Sequence, residues 1–386
     1  MGYAFTSADV AFLRSAAGTA ALAEVDALPF TDASRLHDVG AARRLLGDGF
    51  APVVETVLLR RRARSKLDGA RDWLFTDDAL QQATASPVAR HRAERFRGRD
   101  VHDVTCSVGA DLGALHEVAA RCLGSDLDPV RLAMARHNVP GALVVRADAL
   151  RPVSRATAVT ADPARRDSAG RRRWHPQDFL PPLDELAEVY AHVDLAVKCA
   201  PGIDFAVAPW ADEVELVSLD GSVREACLWT RGLATPGVSR RATVLHGTEV
   251  WTLTDAEPDD CPVAPPGEWL VDPDGAVVRA GLVRHYAARH GLHQLDERIA
   301  YLSGPEPPPG IRAFRVLDHA HYTEKALKTL LKARGIGRVE ILVRGLDVDP
   351  NTLRKRLKPS GPDEASVVLT RIGSRPVMLL CRAERT

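Results

Sequence analysis

The stretch Asp103-Val104-Thr105-Cys106-Ser107-Val108-Gly109-Ala110-Asp111 reads as the end of an apolar strand, a loop of small residues and the opening of a helix. Gly109 lets the backbone turn tightly and approach a ligand, and the helix N-terminus that follows attracts negative charge, here a carboxylate. Outward from this loop, short apolar runs alternate with helical periodicity. Strands are predicted over 101–105, 122–125 and 142–145, with helices over 112–121 and 129–138 between them. The alternation continues with a strand over 156–161, a helix over 182–191 and a strand over 193–198. Strands that alternate with helices imply βαβ units and an open, mostly parallel α/β sheet. Runs at 213–219, 226–230, 242–245 and 249–253 predict further strands, some of them antiparallel.

An open parallel sheet binds its ligand at the carboxyl ends of its strands. Three more stretches fall at such positions. In Gly124-Ser125-Asp126-Leu127-Asp128-Pro129 an acid closes the second strand, 17 residues after Gly109, where a carboxylate can accept both hydroxyls of a ribose. Pro129 suits the first turn of the next helix. In Arg146-Ala147-Asp148-Ala149-Leu150, after the third strand, Asp148 can accept from an adenine amino group. In Ala161-Asp162-Pro163-Ala164-Arg165-Arg166, Asp162 can accept hydrogen bonds from a target amine and hold it in line with a sulfonium methyl group. In such a displacement positioning supplies most of the catalysis. Arg165 and Arg166 can clamp a phosphate. Any one of these acids reads equally well as a helix cap or a turn residue. Their joint spacing is what points to a nucleoside-bearing cofactor.

The chain has 386 residues, enough for two or three domains, and 45 % apolar residues, enough for large buried cores. It holds no run of eighteen apolar residues, which argues against a membrane helix. The first residues lack a basic region followed by an apolar run, so secretion is not expected. The cysteines at 106, 122, 199, 227, 261 and 381 form neither a C-x-x-C pair nor a Cys/His cluster. A reducing, cytoplasmic setting with no metal is the expectation. A net charge of zero conceals an asymmetry. Residues 311–386 hold 16 Lys or Arg against 8 Asp or Glu, and five of the seven lysines fall between Lys325 and Lys358. A basic module on an acidic body points to a polyanionic partner.

Residues 1–98 predict a helical domain. Ser7 is placed to cap a first helix ended by Gly18, and Asp32 to cap a second closed by Gly47. A third helix, over 53–66, ends in the basic run Arg60-Arg61-Arg62-Ala63-Arg64-Ser65-Lys66. The sheet domain is expected over 99–303. Gly304-Pro305-Glu306-Pro307-Pro308-Pro309-Gly310 predicts a linker, because three consecutive prolines cannot sit inside a helix or a central strand. Residues 311–386 predict a compact α+β module of order β-α-β-α-β-β. Thr323 and Asp349-Pro350 open its helices, and a hairpin turns around Ile372-Gly373-Ser374.

The run from Asp103 to Asp204 resembles class I S-adenosylmethionine-dependent methyltransferases, particularly the branch of trimethylguanosine synthase and related RNA guanine-N2 methyltransferases. The whole chain resembles bacterial methyltransferases with a C-terminal THUMP-like domain. That resemblance rests on Gln82-Ala83-Thr84-Ala85-Ser86, on the DPARR stretch at 162–166 and on Val197-Lys198-Cys199-Ala200-Pro201-Gly202-Ile203-Asp204. Pro273-Asp274-Gly275-Ala276-Val277-Val278-Arg279-Ala280-Gly281 and the terminal module carry the rest. It implies an α/β fold: a Rossmann-like class I methyltransferase sheet with an N-terminal helical domain and a small α+β THUMP-like domain.

The resemblance also implies S-adenosyl-L-methionine as cofactor, held by Asp103, Cys106, Gly109, Asp111, Asp126, Leu127, Asp148 and Ala149. Asp162, Pro163 and Arg165 are the implied catalytic set, and Arg166, Lys198, Pro201 and Asp204 the implied substrate contacts. The implied partner is RNA, ribosomal or transfer, methylated at a base nitrogen, exocyclic or ring, such as guanine N2. One departure stands out. Such enzymes carry Asp or Asn, two prolines and an aromatic, whereas Ala164-Arg165 follows Asp162-Pro163 here. Trp174 and Trp210 are the available replacements for the missing stacking platform.

Three rival readings compete with this one. A nicotinamide-dependent oxidoreductase should show G-x-G-x-x-G, and only Gly109 and Gly113 fall in that window. Asp126-Leu127-Asp128-Pro129-Val130 matches the D-x-D-x-V of haloacid dehalogenase phosphotransferases, but that fold opens with its motif and here a βα unit precedes it. A non-catalytic RNA-binding protein that retains the fold stands as the alternative.

Overall fold

The computed structural model describes residues 2–164 and 178–385. They form two compact units, one of residues 1–219 and 224–236, the other of residues 220–223 and 237–386.

The first unit opens with helices α1 (Ser7–Leu13), α2 (Ala16–Asp26), α3 (Arg35–Leu46), α4 (Phe50–Ala63), α5 (Asp77–Gln82) and α6 (Ser86–Ala93). Thr6, not Ser7, caps α1. Its hydroxyl accepts from the Asp9 amide while the Asp9 carboxylate accepts from the Thr6 amide, a reciprocal pair that Ser7 has no acid to complete. Gly18 does not end α1; it lies inside α2, where a Cβ would fall 2.0 Å from the Phe12 carbonyl oxygen. The missing side chain lets α2 turn back closely on α1. Gly47 closes α3 as expected, with φ of +59°.

The sheet follows as β1 (Asp100–Asp103), α7 (Ala110–Val118), β2 (Arg121–Asp126), α8 (Pro129–Asn138), β3 (Leu143–Arg146) and β4 (Ala158–Ala161). Then come α9 (Leu183–Val189), β5 (Asp194–Cys199), β6 (Glu213–Leu219) and β7 (Ser222–Trp229). Its order is β3-β2-β1-β4-β5-β7-β6. β1 runs parallel to β2 and β4, with Asp103 level with Gly124 and Thr160, and β7 runs antiparallel to β5. The strand order reverses between β1 and β4, which places a crevice beyond their carboxyl ends.

The second unit holds the hairpin β8 (Arg240–His246) and β9 (Glu249–Thr254), then β10 (Trp269–Val271), α10 (Gly275–Ala280), α11 (Val283–His290), β11 (His293–Asp296) and β12 (Ile299–Gly304). It ends with β13 (Arg312–His321), α12 (Glu324–Ala333), β14 (Ile336–Val343), α13 (Pro350–Leu357), β15 (Asp363–Ile372) and β16 (Arg375–Arg385). The order after residue 311 matches the expected β-α-β-α-β-β, and Thr323 and Asp349 cap the two helices.

The division into compact units falls between residues 219 and 237, inside the stretch expected as the sheet domain. Val53, Val57 and Leu74 share one core with Val108 and Met134, so residues 1–98 belong to the same unit as the sheet. Residues 304–310 join two strands of one sheet, because β12 and β13 both pair antiparallel with β10 in the order β11-β12-β10-β13-β16-β15-β14. Packing explains this arrangement. Leu327, Leu331, Leu353 and Leu357 cover one face of the sheet. Val368, Leu379 and Cys381 on the other face are covered by Leu270, Leu295 and Tyr301, which precede the prolines. Among the described residues no helix is long and apolar enough to cross a membrane.

Candidate active site

A cavity of about 340 Å³ opens at the carboxyl ends of β1 to β4, lined by residues 104–108, Asp126, Leu127, 147–150, Asp162 and Ala164. Two glycines shape its floor. Gly109, at φ +93°, stands at the N-terminus of α7 in a conformation that L side chains rarely adopt. A Cβ on Gly124 would lie 2.8 Å from Leu112 and 3.0 Å from Cys106, so only glycine in β2 lets the 105–109 loop settle this low.

Asp126 links the first two loops. Its Oδ2 accepts from the Ser107 amide at 3.1 Å and its Oδ1 from the Asp128 amide at 2.8 Å, and each oxygen keeps a second lone pair. Asp128 caps α8 through the Val130 and Arg131 amides. Beside Asp126 the Leu127 side chain stands 60 % exposed in the cavity wall. Asp148 accepts from the Leu150 amide at 2.9 Å, and the Ala149 carbonyl accepts from the Tyr190 hydroxyl at 2.7 Å. The buried Asn138 amide bonds Leu74 through both its backbone groups, and the Val108 carbonyl, which ties the helical layer to the first loop.

A buried chain of charge runs behind the cavity. Arg92 of α6 contacts Asp111 at 2.5 Å and also Glu225 of β7. The Thr84 hydroxyl donates to Asp111 Oδ2 at 3.2 Å and accepts from Lys198 Nζ at 2.9 Å. Lys198 of β5 in turn donates to Asp162 Oδ2 at 2.5 Å. Burial works against the Asp111 charge, but Arg92 and Lys198 outweigh it and hold the carboxyl below its ordinary range. Burial pushes Glu225 up despite Arg92.

A THUMP domain-like family matches residues 311–383, and a domain of unknown function matches residues 6–63. Two uncharacterized S-adenosylmethionine-dependent methyltransferases of Mycobacterium tuberculosis, from strains CDC 1551 and H37Rv, are each 53 % identical over 360 residues, spanning 89 % of this chain and all of theirs. The chain belongs to the S-adenosylmethionine-dependent methyltransferases. A structure described as a methyltransferase from Porphyromonas gingivalis W83 shares the fold, with a TM-score of 0.76 at 21 % identity over 98 % of this chain and 99 % of that one.

In this methyltransferase Cys106, Asp111, Asp126, Leu127, Asp148, Ala149 and Asp162 all line one cavity. Asp103 is buried beneath it, Gly109 forms the turn, and Pro163 is buried beside Asp162. Lys198 reaches Asp162 from behind and is absent from the lining, as are Pro201 and Asp204, and Asp204 caps a short turn through the Ala206 amide. Arg165, Arg166 and Trp174 lie outside the described residues. Trp210 does not line the cavity; Leu180, Pro181 and Pro182 do, brought there by two backbone hydrogen bonds between Ala164 and Leu180. Thr84, Arg92, Glu225 and this Leu-Pro-Pro run are further residues of the site that the sequence does not single out one by one. Arg92 reads locally as one more helix cation, and only the Gln82–Ser86 resemblance hinted at Thr84. Among the described residues no group of three or more His, Cys, Asp or Glu is placed to hold a metal ion.

Asp103 offers a direct test of this electrostatic setting. Burial, then the Asp111 carboxylate, push its carboxyl from an ordinary 3.8 up to about 8. The folded protein therefore holds a proton that the unfolded chain releases between about pH 4 and pH 8, so this group's contribution makes stability fall as pH rises through that window. Asp103→Asn removes the linkage. Urea unfolding across that range is expected to show a flatter dependence of stability on pH in the variant, and parallel curves would refute the assignment.

Proposed function

We propose that this methyltransferase holds S-adenosylmethionine along the ends of β1 to β3 and methylates a base nitrogen in RNA, with Asp162 as the group that receives the acceptor. The observation that carries the reading is the single cavity in which Asp126, Leu127, Asp148, Ala149 and Asp162 meet. Its residues fit the cofactor chemically. Asp126 has lone pairs for two ribose hydroxyls, and Leu127 offers an exposed apolar face for a purine. Asp148 lies next to Ala149 to read an adenine edge. A cavity of a few hundred Å³ is also the usual scale for such a ligand.

When bound, the cofactor supplies an electrophilic methyl group on its sulfonium. The protein's part is positioning. Asp162 accepts a hydrogen bond from the acceptor N–H and aims the nitrogen lone pair, while Pro163 stiffens the backbone behind it. Leu180, 52 % exposed in the same wall, with Pro181 and Pro182, supplies apolar surface where related enzymes use an aromatic. Arg165 and Arg166 follow in chain order as candidates for a phosphate.

The cytoplasmic RNA reading, guanine N2 included as an acceptor, draws support from the second unit. Lys325, Lys328 and Lys332 are exposed along α12, and Arg354, Lys355, Arg356 and Lys358 are exposed along and just after α13. Arg356 reaches Glu324 at 3.4 Å, which sets the two basic helices side by side. Cations arranged in this way suit a phosphate backbone.

Two measurements test the reading. In calorimetry Asp126→Ala is expected to weaken S-adenosylmethionine binding by about 1.5–3 kcal/mol. Asp162→Ala is expected to keep that affinity and lose roughly tenfold or more in tritium transfer to ribosomal or transfer RNA. The reverse pattern would exchange their roles, and no transfer by the parent to either RNA would refute the acceptor.

The basic helices are best tested by charge neutralisation, since removing residues after 310 would strip β13 from β10. Lys325→Gln, Lys328→Gln and Lys332→Gln together should weaken RNA binding. The salt slope of log K should flatten by about 0.7 for each single-strand phosphate that the variant no longer neutralises. An unchanged slope would place the RNA elsewhere.

A further inference from the structure

We propose that Lys198 is a positioning residue for methyl transfer. It holds the Asp162 carboxylate by one oxygen from behind the cavity, so that the other oxygen faces the methyl acceptor. This rests on Asp162 being the acceptor-binding group, as proposed above. It replaces the expected substrate contact by Lys198 with an indirect role.

The geometry is specific. The Lys198 side chain is 11 % exposed while that of Asp162 is 33 % exposed, so the pair has one member largely withdrawn from solvent and one that opens on the cavity. Asp162 is fixed at two points. Its amide donates to Thr105 Oγ1 at 2.7 Å, which locks the backbone to the β1 loop, and its Oδ2 accepts from Lys198. Among the described residues no donor reaches its Oδ1. Lys198 is itself immobilised by Thr84, whose hydroxyl accepts from Lys198 and from Arg92 at 3.4 Å and donates to Asp111. One donor and two acceptor sites are all that a hydroxyl has, so Thr84 is fully committed.

A bare structural ion pair gives a poor account of this arrangement. Burying an ammonium costs several kcal/mol before pairing repays it, and an apolar side chain of similar size often serves stability as well. What a lysine adds is a directed N–H to one carboxylate oxygen. The charged groups around it are Asp162 beyond β4, Asp111 of α7, Glu225 of β7, Arg92 of α6, and Lys66 after α4. Burial lowers the basicity of Lys198, but the three carboxylates outweigh burial and Arg92, and the ammonium stays charged.

The chain has only seven lysines, so ¹⁵N-lysine spectra of the full-length protein can follow this ammonium directly. Lys198→Met assigns its signal, or Lys198→Arg should the first variant fail to fold. In the parent the signal is expected to persist to high pH, and in Asp162→Asn its loss should move to lower pH. An unchanged titration would overturn the contact. In tritium transfer from S-adenosylmethionine to total RNA, Lys198→Met is expected to lose roughly tenfold in kcat, with RNA KM and S-adenosylhomocysteine Kd changed less than about threefold. Lys198→Arg, which keeps a charged donor, should recover part of the rate. A rise in KM alone would make Lys198 a substrate contact, and a loss of Kd alone a cofactor contact; either overturns the proposal. If the parent methylates no RNA, the acceptor reading fails and the lysine spectra still decide whether Lys198 holds Asp162.

Discussion

Arg92 is the residue on which the first unit turns. Its side chain is 5 % exposed and its guanidinium sits between Asp111, at the start of α7, and Glu225, in β7. Leaving such a cation without partners would cost several kcal/mol, so α6 can dock only where both carboxylates are present. That requirement joins three separate stretches of chain, an N-terminal helix, the first helix of the sheet and a strand more than a hundred residues later. It also brings Thr84 to the back of the cavity, and through Thr84 the ordering passes to Lys198 and Asp162. The N-terminal helices are part of the site's foundation.

The front of the cavity is organised differently. Short polar side chains at strand ends satisfy backbone amides of the neighbouring loops, as Asp126 does for Ser107 and Asp128, and as Asp148 does for Leu150. Each acid thus serves as a cap and keeps lone pairs available. The cap reading and the ligand reading of these acids are therefore compatible, since one carboxylate can do both. Gly124 completes the arrangement by letting Cys106 and the first loop lie against β2 without a clash.

In the second unit one constraint explains both the sheet and its surface. β14, β15 and β16 carry apolar residues on both faces, and a sheet buried on both faces needs two covers. α12 and α13 provide one cover by turning their leucines inward, which leaves their lysines and arginines no place but solvent. The strands before the prolines provide the other. The basic surface is thus a consequence of amphipathic helices on a covered sheet.

Alternating short strands and helices, the glycine at 109, the acids at 126, 148 and 162 and the capped helices after 323 and 349 are all local signals. The sequence by itself determined the sheet, the strand ends at which the cavity opens and the position of the basic helices, because propensity, capping and turn chemistry act over a few residues. The strand neighbours of the Pro-rich run were less legible. The run Gly304–Gly310 has the composition of a spacer, and its prolines say nothing about which strands lie on either side. Arg92 and Glu225 carry no local mark at all, since a cation on a helix or an acid in a strand is ordinary in isolation, and Lys198 is marked only by the resemblance over 197–204. Only the tertiary structure decided that these charges are buried together behind Asp162, because a buried charge is defined by the partners that long-range packing brings to it.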